Sequence, residues 1–355
     1  MGLNQGFWSG KKVFVTGHTG FKGSWLLLLL DHLDADISGY ALEPNTDPNF
    51  FSIIKKKINI HSNIGDIRDY EFLSSSIKSF QPEIVIHMAA QPLVRLSYED
   101  PINTYSTNVM GLVNLLEIIK NTKSVKTVLN VTSDKCYENK EQLQGYIESD
   151  RLGGFDPYSN SKACAELITA SFFNSFYENL NIGLSSARAG NVIGGGDWSE
   201  DRLIPDFIRS AFHGINLEIR KPNAVRPWQH VIEPLYGYLL LCERLYHDSK
   251  QFNGPWNFGP NDSDLVSVEL MIKEMIMRID KPDFRFTNKQ KINTKHETSI
   301  LKLNSKKANQ NLNWKSKWNY KEALKKTLDW YIAFYNTEDI VKLSQLQIKQ
   351  YLITN

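Results

Sequence analysis

The chain has 355 residues, with 41 Lys and Arg against 39 Asp and Glu and a formal charge of +2. That balance offers no electrostatic footprint for nucleic acid or an anionic membrane, and the length suits one large domain or two closely packed ones. Three cysteines, Cys136, Cys164 and Cys242, include no CxxC pair, which excludes a disulfide framework and argues against a thiolate metal site. The longest apolar run, Trp25 to Leu30, falls far short of the ~20 residues a bilayer span needs, and the first residues carry no apolar leader. A cytoplasmic globular protein is the expectation.

In chain order, Lys12 to Thr16 reads as a strand, Phe21 to His32 as a helix and Ile37 to Leu42 as a second strand. Ile58 to Ile64 is a weaker strand before a helix over Asp69–Phe80. Glu83 to His87 is a buried strand; a helix over Thr104–Lys120, a strand over Lys126–Val131, a helix holding Lys162–Tyr177 and a strand over Ile182–Ala187 follow. Strands alternating with helices of this length imply right-handed βαβ crossovers and a parallel sheet covered on both faces. Past Asn191 the alternation breaks into a glycine loop at 194–196, helices over Ile204–Phe212 and Glu233–Tyr246, and short strands. The Lys- and Asn-rich stretch from 288 to 318 reads as exposed surface. The expected architecture is α/β. A Rossmann-type doubly wound sheet occupies 1–190, with elements at about 228–260 returning to it, and 191–355 form a smaller mixed lobe.

Thr16-Gly17-His18-Thr19-Gly20-Phe21-Lys22-Gly23 lies between the first strand and the first helix, with glycines at i, i+3 and i+6. Such a turn lets backbone approach a pyrophosphate, and the helix N-terminus adds free N–H groups and partial positive charge. Gly17 through Gly23 are therefore the candidate dinucleotide cradle, with the side chains of His18 and Lys22 read as loop surface; a plain structural turn is the alternative. Glu43 follows the second strand, one position late for an acidic residue that grips the adenosine ribose. No Arg follows for a 2′-phosphate, which favours NAD over NADP. Asp66 and Ile67, after the third strand, are candidates for the adenine end, with a surface turn as the alternative.

Tyr158 and Lys162 stand four apart in Tyr158-Ser159-Asn160-Ser161-Lys162, on one side of a helix. Bringing a phenol from about 10 to near 7 takes roughly 4 kcal/mol of differential stabilisation, which Lys162 and a nicotinamide cation would supply. Tyr158 then acts as base toward a sugar hydroxyl. Ser133, Asp134 and Lys135 follow the fifth strand, where parallel sheets place their chemistry. Ser133 is placed to hydrogen-bond the oxidised hydroxyl, and the adjacent acid and base are more than a simple dehydrogenase needs. No His, Asp or Glu cluster has metal-ligand spacing, so no metal is expected.

With TGHTGFKG, HMAAQP, SDKCY, YSNSK and RAGNVIGGGDW in that order, and AVRPWQHV beyond them, the chain resembles an extended short-chain dehydrogenase/reductase. Within that superfamily it resembles the NAD-dependent nucleotide-sugar 4,6-dehydratases, in the branch acting on CDP-linked glucose; the resemblance spans about residues 7–335. It implies oxidation at C4, loss of water across C5 and C6 and hydride return to C6. The 4-keto-6-deoxy product would serve deoxy- and dideoxyhexose synthesis for surface polysaccharide such as O-antigen. Ala89, Ala90, Gln91 and Asn108 are implied as further NAD contacts. Asn191, Arg202, Arg226, His296 and Glu297 are implied or candidate contacts to the nucleotide sugar, guanidinium forks suiting a diphosphate. Trp198 and Trp228 are candidates for the base pocket or for core.

The same resemblance gives Asp134 the protonation of the departing C6 hydroxyl and Lys135 the C5 proton, with lysine where the dTDP-glucose enzymes carry Glu. There is a tension here: a base lysine must be ready to lose its proton and an acid aspartate to keep one, whereas an ion pair favours the reverse. A homodimer through the helices near 104–120 and 157–177 is implied, with Leu112, Leu115 and Leu116 as contributors or as monomer core. Three alternatives stay open. One is a UDP- or dTDP-sugar dehydratase; another is a 4-epimerase, which needs no Asp-Lys couple; the third is a non-catalytic NAD-sensing protein, which commonly lacks the YxxxK pair.

Overall fold

The computed structural model describes residues 2–219, 221–279, 284, 286–288 and 301–354. The first half supplies β1 (Lys12–Thr16), β2 (Asp36–Ala41), β3 (His61–Ile64), β4 (Ile84–His87), β5 (Thr127–Val131) and β6 (Gly183–Ala189). A seventh strand, β7 (Gly254–Phe258), returns from the second half and pairs parallel to β6. The sheet order is β7-β6-β5-β4-β1-β2-β3, every pair parallel. The order reverses between β1 and β4, which opens a crevice at their C-terminal ends. Successive side chains of a strand point to opposite faces: Val13 and Val15 enter one core, Phe14 the other.

The principal helices are α1 (Phe21–His32), α2 (Tyr70–Phe80), α3 (Gly111–Lys120), α4 (Pro157–Phe172), α5 (Leu203–His213), α6 (Ile232–His247), α7 (Tyr320–Tyr335) and α8 (Ile340–Ile353). Helix α1 is buried all round from Gly23 to Leu30, which explains its unbroken leucines: the sheet lies beneath it, and α6 and α8 pack beside and over it. On the opposite face Leu112, Leu115 and Leu116 of α3 are fully buried with Phe14, Leu73, Ile77 and Val85. They belong to the monomer core and are not available to a partner.

Local chemistry sets the element boundaries, some as read from the sequence and some away from it. The Asp69 side chain accepts from the Phe72 amide at 3.0 Å, which starts α2. Asp156 accepts from the Ser159 amide at 2.9 Å with Pro157 in the first turn, so α4 begins ahead of Tyr158. The expected helix over 104–120 is interrupted by a π-helical turn, Ser106–Met110, between Pro101–Tyr105 and α3. The weak third strand shrinks to four residues at the sheet edge. Over 301–318 the expectation of exposed surface fails. Leu312, Trp314 and Trp318 are buried, and the Trp314 indole donates to the Glu233 carbonyl at 3.0 Å. Among the described residues no helix is long and apolar enough to cross a membrane.

Candidate active site

A cleft of about 2070 Å³ runs along the C-terminal ends of β1, β2, β4, β5 and β6. That exceeds the roughly 300–1,000 Å³ of a pocket for one small molecule. The glycine turn forms one end. Gly17 has φ of +76°, and a Cβ there would lie 2.7 Å from the Ala89 amide nitrogen, so only glycine fits between β1 and the segment after β4. Gly20 caps α1 without any side-chain hydrogen bond, and the first turn, Phe21, Lys22 and Gly23, lines the cleft. Uncapped N–H groups at a helix start suit a phosphate. Thr19, Glu43, Asp66, Ile67, Ala89, Ala90 and Gln91 line the same end. Glu43 is exposed at the mouth. The Asp66 carboxylate accepts from the Arg68 amide and guanidinium at 2.9 Å, and that guanidinium holds it below the usual carboxylate range.

Two of the proposed dinucleotide contacts turn elsewhere. His18 is fully buried, its Nε2 lies 2.8 Å from Ser62 Oγ and its ring meets Phe51 edge-on; burial pushes its pKa down to about 4. It is a neutral packing residue on β2, neither loop surface nor cleft. Asn108 sits in the π-helical turn, accepts from the Gln91 amide at 2.8 Å and donates to the Gln91 carbonyl at 3.1 Å and Ser161 Oγ at 2.9 Å. It fixes the loop that lines the cleft and does not line it. Conversely, Lys22 is not loop surface: it faces the cleft, 6.0 Å from the Tyr238 ring. Burial first, then the charge of Arg202, pushes its pKa down to about 8. His296 and Glu297 lie outside the described residues.

Ser133 follows β5 by two residues and caps a short 3-10 turn, Asp134–Cys136. Its hydroxyl donates to Asp134 Oδ1 at 2.9 Å and accepts from the Lys135 amide at 3.2 Å, and Lys135 Nζ lies 3.1 Å from that same oxygen. Asp134 is 2% exposed, whereas Lys135 reaches into the cleft. Tyr158 adjoins this turn from α4. Burial raises its phenol above the ordinary value; the Lys135 charge, a hydrogen bond with Ser133 and the Arg202 charge pull the other way. The sequence reading gave that pull to Lys162 and the nicotinamide; the structure gives it instead to Lys135, Ser133 and Arg202. Lys162 Nζ donates to the Val131 carbonyl at 3.3 Å, and burial, opposed by Glu166, pushes its pKa down to about 8.

Asn191, Arg202, Arg226 and Trp228 line the far end. Arg202 Nη1 is 2.8 Å from Asp197 Oδ2, whose charge keeps the guanidinium firmly protonated. Arg226 lies on the short strand Val225–Pro227, paired antiparallel to Leu265–Ser267. Trp198 packs on Trp330, Tyr331 and Phe334 and belongs to the core. Asp197 and Tyr137 also line the cleft; the sequence reading gave neither a role, although each stands within a motif it singled out, GGGDW and SDKCY. Among the described residues no group of His, Cys, Asp and Glu is arranged to hold a metal ion.

The chain belongs to the GDP-mannose 4,6 dehydratase family, whose model matches residues 14–327. It is 50% identical over 356 residues to a CDP-glucose 4,6-dehydratase of Salmonella typhimurium, an alignment covering 99% of this chain and 98% of that protein. In fold it is similar to a UDP-glucose 4-epimerase of Thermotoga maritima (TM-score 0.79, 22% identity, covering 92% and 99% of the two chains). It is also similar to a dTDP-glucose 4,6-dehydratase of Streptomyces venezuelae with NAD bound (TM-score 0.78, 19% identity, 93% and 99%).

Proposed function

We propose that the chain is a hydro-lyase that binds NAD and converts CDP-glucose to CDP-4-keto-6-deoxyglucose. The observation that carries this reading is the Asp134–Lys135 couple, 3.1 Å apart and beside Tyr158, in the same cleft as the glycine turn. An epimerase has no use for such a couple. The choice of CDP rests on the half-identity with the Salmonella relative over nearly the whole of both chains. The uncapped start of α1, with Gly17 pressed on the segment after β4, fits the NAD pyrophosphate. Glu43, Asp66 and Ile67 would hold its adenosine half, and Ala89, Ala90, Gln91 and Lys162 the rest.

Tyr158 and Ser133 hold the C4 hydroxyl, and Tyr158 takes its proton. NAD bound there would supply the acceptor for the C4 hydride and its return to C6, which makes the reaction redox-neutral. Once C4 is a ketone, the C5 proton is acidic because the carbanion delocalises as an enolate. Lys135 removes that proton while Asp134 protonates the C6 hydroxyl, which leaves as water. The proton on Lys135 then goes back to C5. Arg202, anchored by Asp197, and Arg226 face the diphosphate, with Asn191 on the sugar.

We extend the proposal to a cytoplasmic homodimer that serves surface-polysaccharide sugars, with 1–190 as the dinucleotide domain and 191–355 as the sugar-nucleotide lobe. Ile102, Met110 and Leu167 are exposed apolar residues on the two helical segments expected at a dimer contact. The test supplies NAD with CDP-, dTDP-, UDP- or GDP-glucose separately and reads the enone absorbance of alkali-treated product. Turnover with CDP-glucose is expected. Turnover with dTDP-glucose alone would overturn the nucleotide assignment, and none at all would overturn the enzyme.

A further inference from the structure

A second set of buried charges adjoins Lys162 and has no part in the steps above. Glu166 follows Lys162 by one turn of α4 and is 4% exposed; Arg188, on β6, is 2% exposed. The Glu166 carboxylate accepts from the Thr132 hydroxyl, the Ser186 hydroxyl at 2.6 Å and Arg188 Nη2 at 2.7 Å. Arg188 Nη1 continues to the Tyr137 hydroxyl at 2.7 Å and the Glu148 carbonyl at 3.1 Å. Thr132 and Tyr137 stand immediately before and after the Ser133–Cys136 segment, so this network borders both halves of the candidate catalytic centre. A buried ion pair is a poor stabiliser, because desolvation offsets its attraction, and well-packed apolar residues would hold the core as well. What an apolar pair cannot do is place a fixed charge beside Lys162.

We infer that Glu166, held by Arg188, is a positioning residue for the reaction: its carboxylate keeps the Lys162 ammonium charged, and Arg188 sets how much of that charge Lys162 feels. The inference rests on the role proposed above for Lys162. The groups facing Lys162 leave Glu166 that task. On its own helix stand Tyr158 and Glu166; Lys22 reaches it from α1, His87 from β4 and Cys136 from the 3-10 turn. Lys22 repels it. His87 is buried against Thr16 Oγ1 at 2.7 Å with its pKa pushed down to about 3, so it is neutral. Burial pushes the Cys136 thiol well up, so it too is uncharged. Glu166 is the attraction that opposes burial of the ammonium.

The experiment measures kcat/KM for CDP-glucose across pH, with saturating NAD, for Glu166→Gln, Arg188→Gln and Arg188→Lys. Glu166→Gln removes the anion and leaves Arg188 in place, so the alkaline limb set by Lys162 moves down by roughly one pH unit. Arg188→Gln leaves the anion uncompensated and moves that limb up; Arg188→Lys restores it. Opposite shifts from the two halves of one ion pair are the signature of electrostatic positioning. A purely structural role would lower activity or Tm in both variants with the limb in place, or move it the same way in both, and either result would overturn the inference. If Glu166→Gln does not fold, the two Arg188 variants decide alone, and identical limbs would refute it. Lys162→Met keeps the two readings apart. Full activity in that variant would defeat the role of Lys162 itself; lost activity combined with unmoved limbs would defeat only the part played by Glu166.

Discussion

Replacing Lys135 by alanine should separate oxidation from dehydration. The ammonium is 3.1 Å from Asp134 Oδ1. At an effective dielectric of about 20 that separation gives a bare attraction of about 5 kcal/mol, much of it offset by desolvation. Asp134 keeps the Ser133 hydroxyl at 2.9 Å, so the turn itself should survive. A positioned base contributes about 10²–10⁴ in rate, which corresponds to about 3–5 kcal/mol of barrier. Formation of the 4-keto-6-deoxy product should therefore fall by about that factor in Lys135→Ala. Oxidation at C4 should continue, but at higher pH, because Lys135 is the leading charge that favours the Tyr158 phenolate. Two assays check this. A single turnover with CDP-glucose should still give a burst of reduced nicotinamide, and the 6-deoxy product should then appear slower than in the wild type by the same factor. Normal water loss in the variant would refute the assignment, as would loss of oxidation at every pH.

Two further outcomes follow from the geometry. Gly17→Ala imposes a side chain at φ +76° and 2.7 Å from the Ala89 amide nitrogen, so it should cost about 1–2 kcal/mol in strain alone and weaken NAD binding roughly tenfold or more. Isothermal titration with NAD reads the loss, and unchanged affinity would contradict the cradle. Glu233 is fully buried where Lys317, Trp318 and Tyr351 meet α6, and burial raises its pKa from 4.5 to about 7 despite those hydrogen bonds. A raised folded-state pKa gives stability that is full below about 4.5 and lost as pH rises through about 7, on the order of 3 kcal/mol. Glu233→Gln should flatten the fall in Tm between pH 5 and 8; a fall of wild-type size in the variant would show that another group sets it.

The first half of the fold was legible because its strands and helices carry local signals: a period of two or of 3.6, a capping Asp69, and glycines at the first turn. What stayed hidden depends on partners distant in sequence. His18 reads as a loop residue until β2 and β3 close over it, and Asn108 looks like a ligand contact until its amide is seen holding Gln91. The glycines of 194–196 read from the sequence only as a loop. A Cβ on Gly195 would lie 2.0 Å from Trp330 Cγ, so at least that glycine is there to admit a core tryptophan from α7. Composition misled over 301–318, because the outward Lys and Asn outnumber the few aromatic and aliphatic residues that anchor the segment.

Lys22 shows how such a hidden contact changes the chemistry. On the sequence it is a residue of the phosphate turn; in the structure its ammonium joins Lys135, Lys162 and Arg202 around the reaction centre. Arg202 is answered by Asp197 and Lys162 by Glu166, leaving Lys22 and Lys135 to share Asp134. Burial together with this crowding brings Lys22 down to about 8, and burial brings Lys162 to about 8 as well. Like charges in a buried site disfavour the ammonium of each buried lysine among them, and an anion brought into the cleft relieves that cost. The same excess of cations attracts the diphosphate of a sugar nucleotide. Charge crowding thus serves the binding of the substrate, since a diphosphate would answer cations that otherwise share one carboxylate.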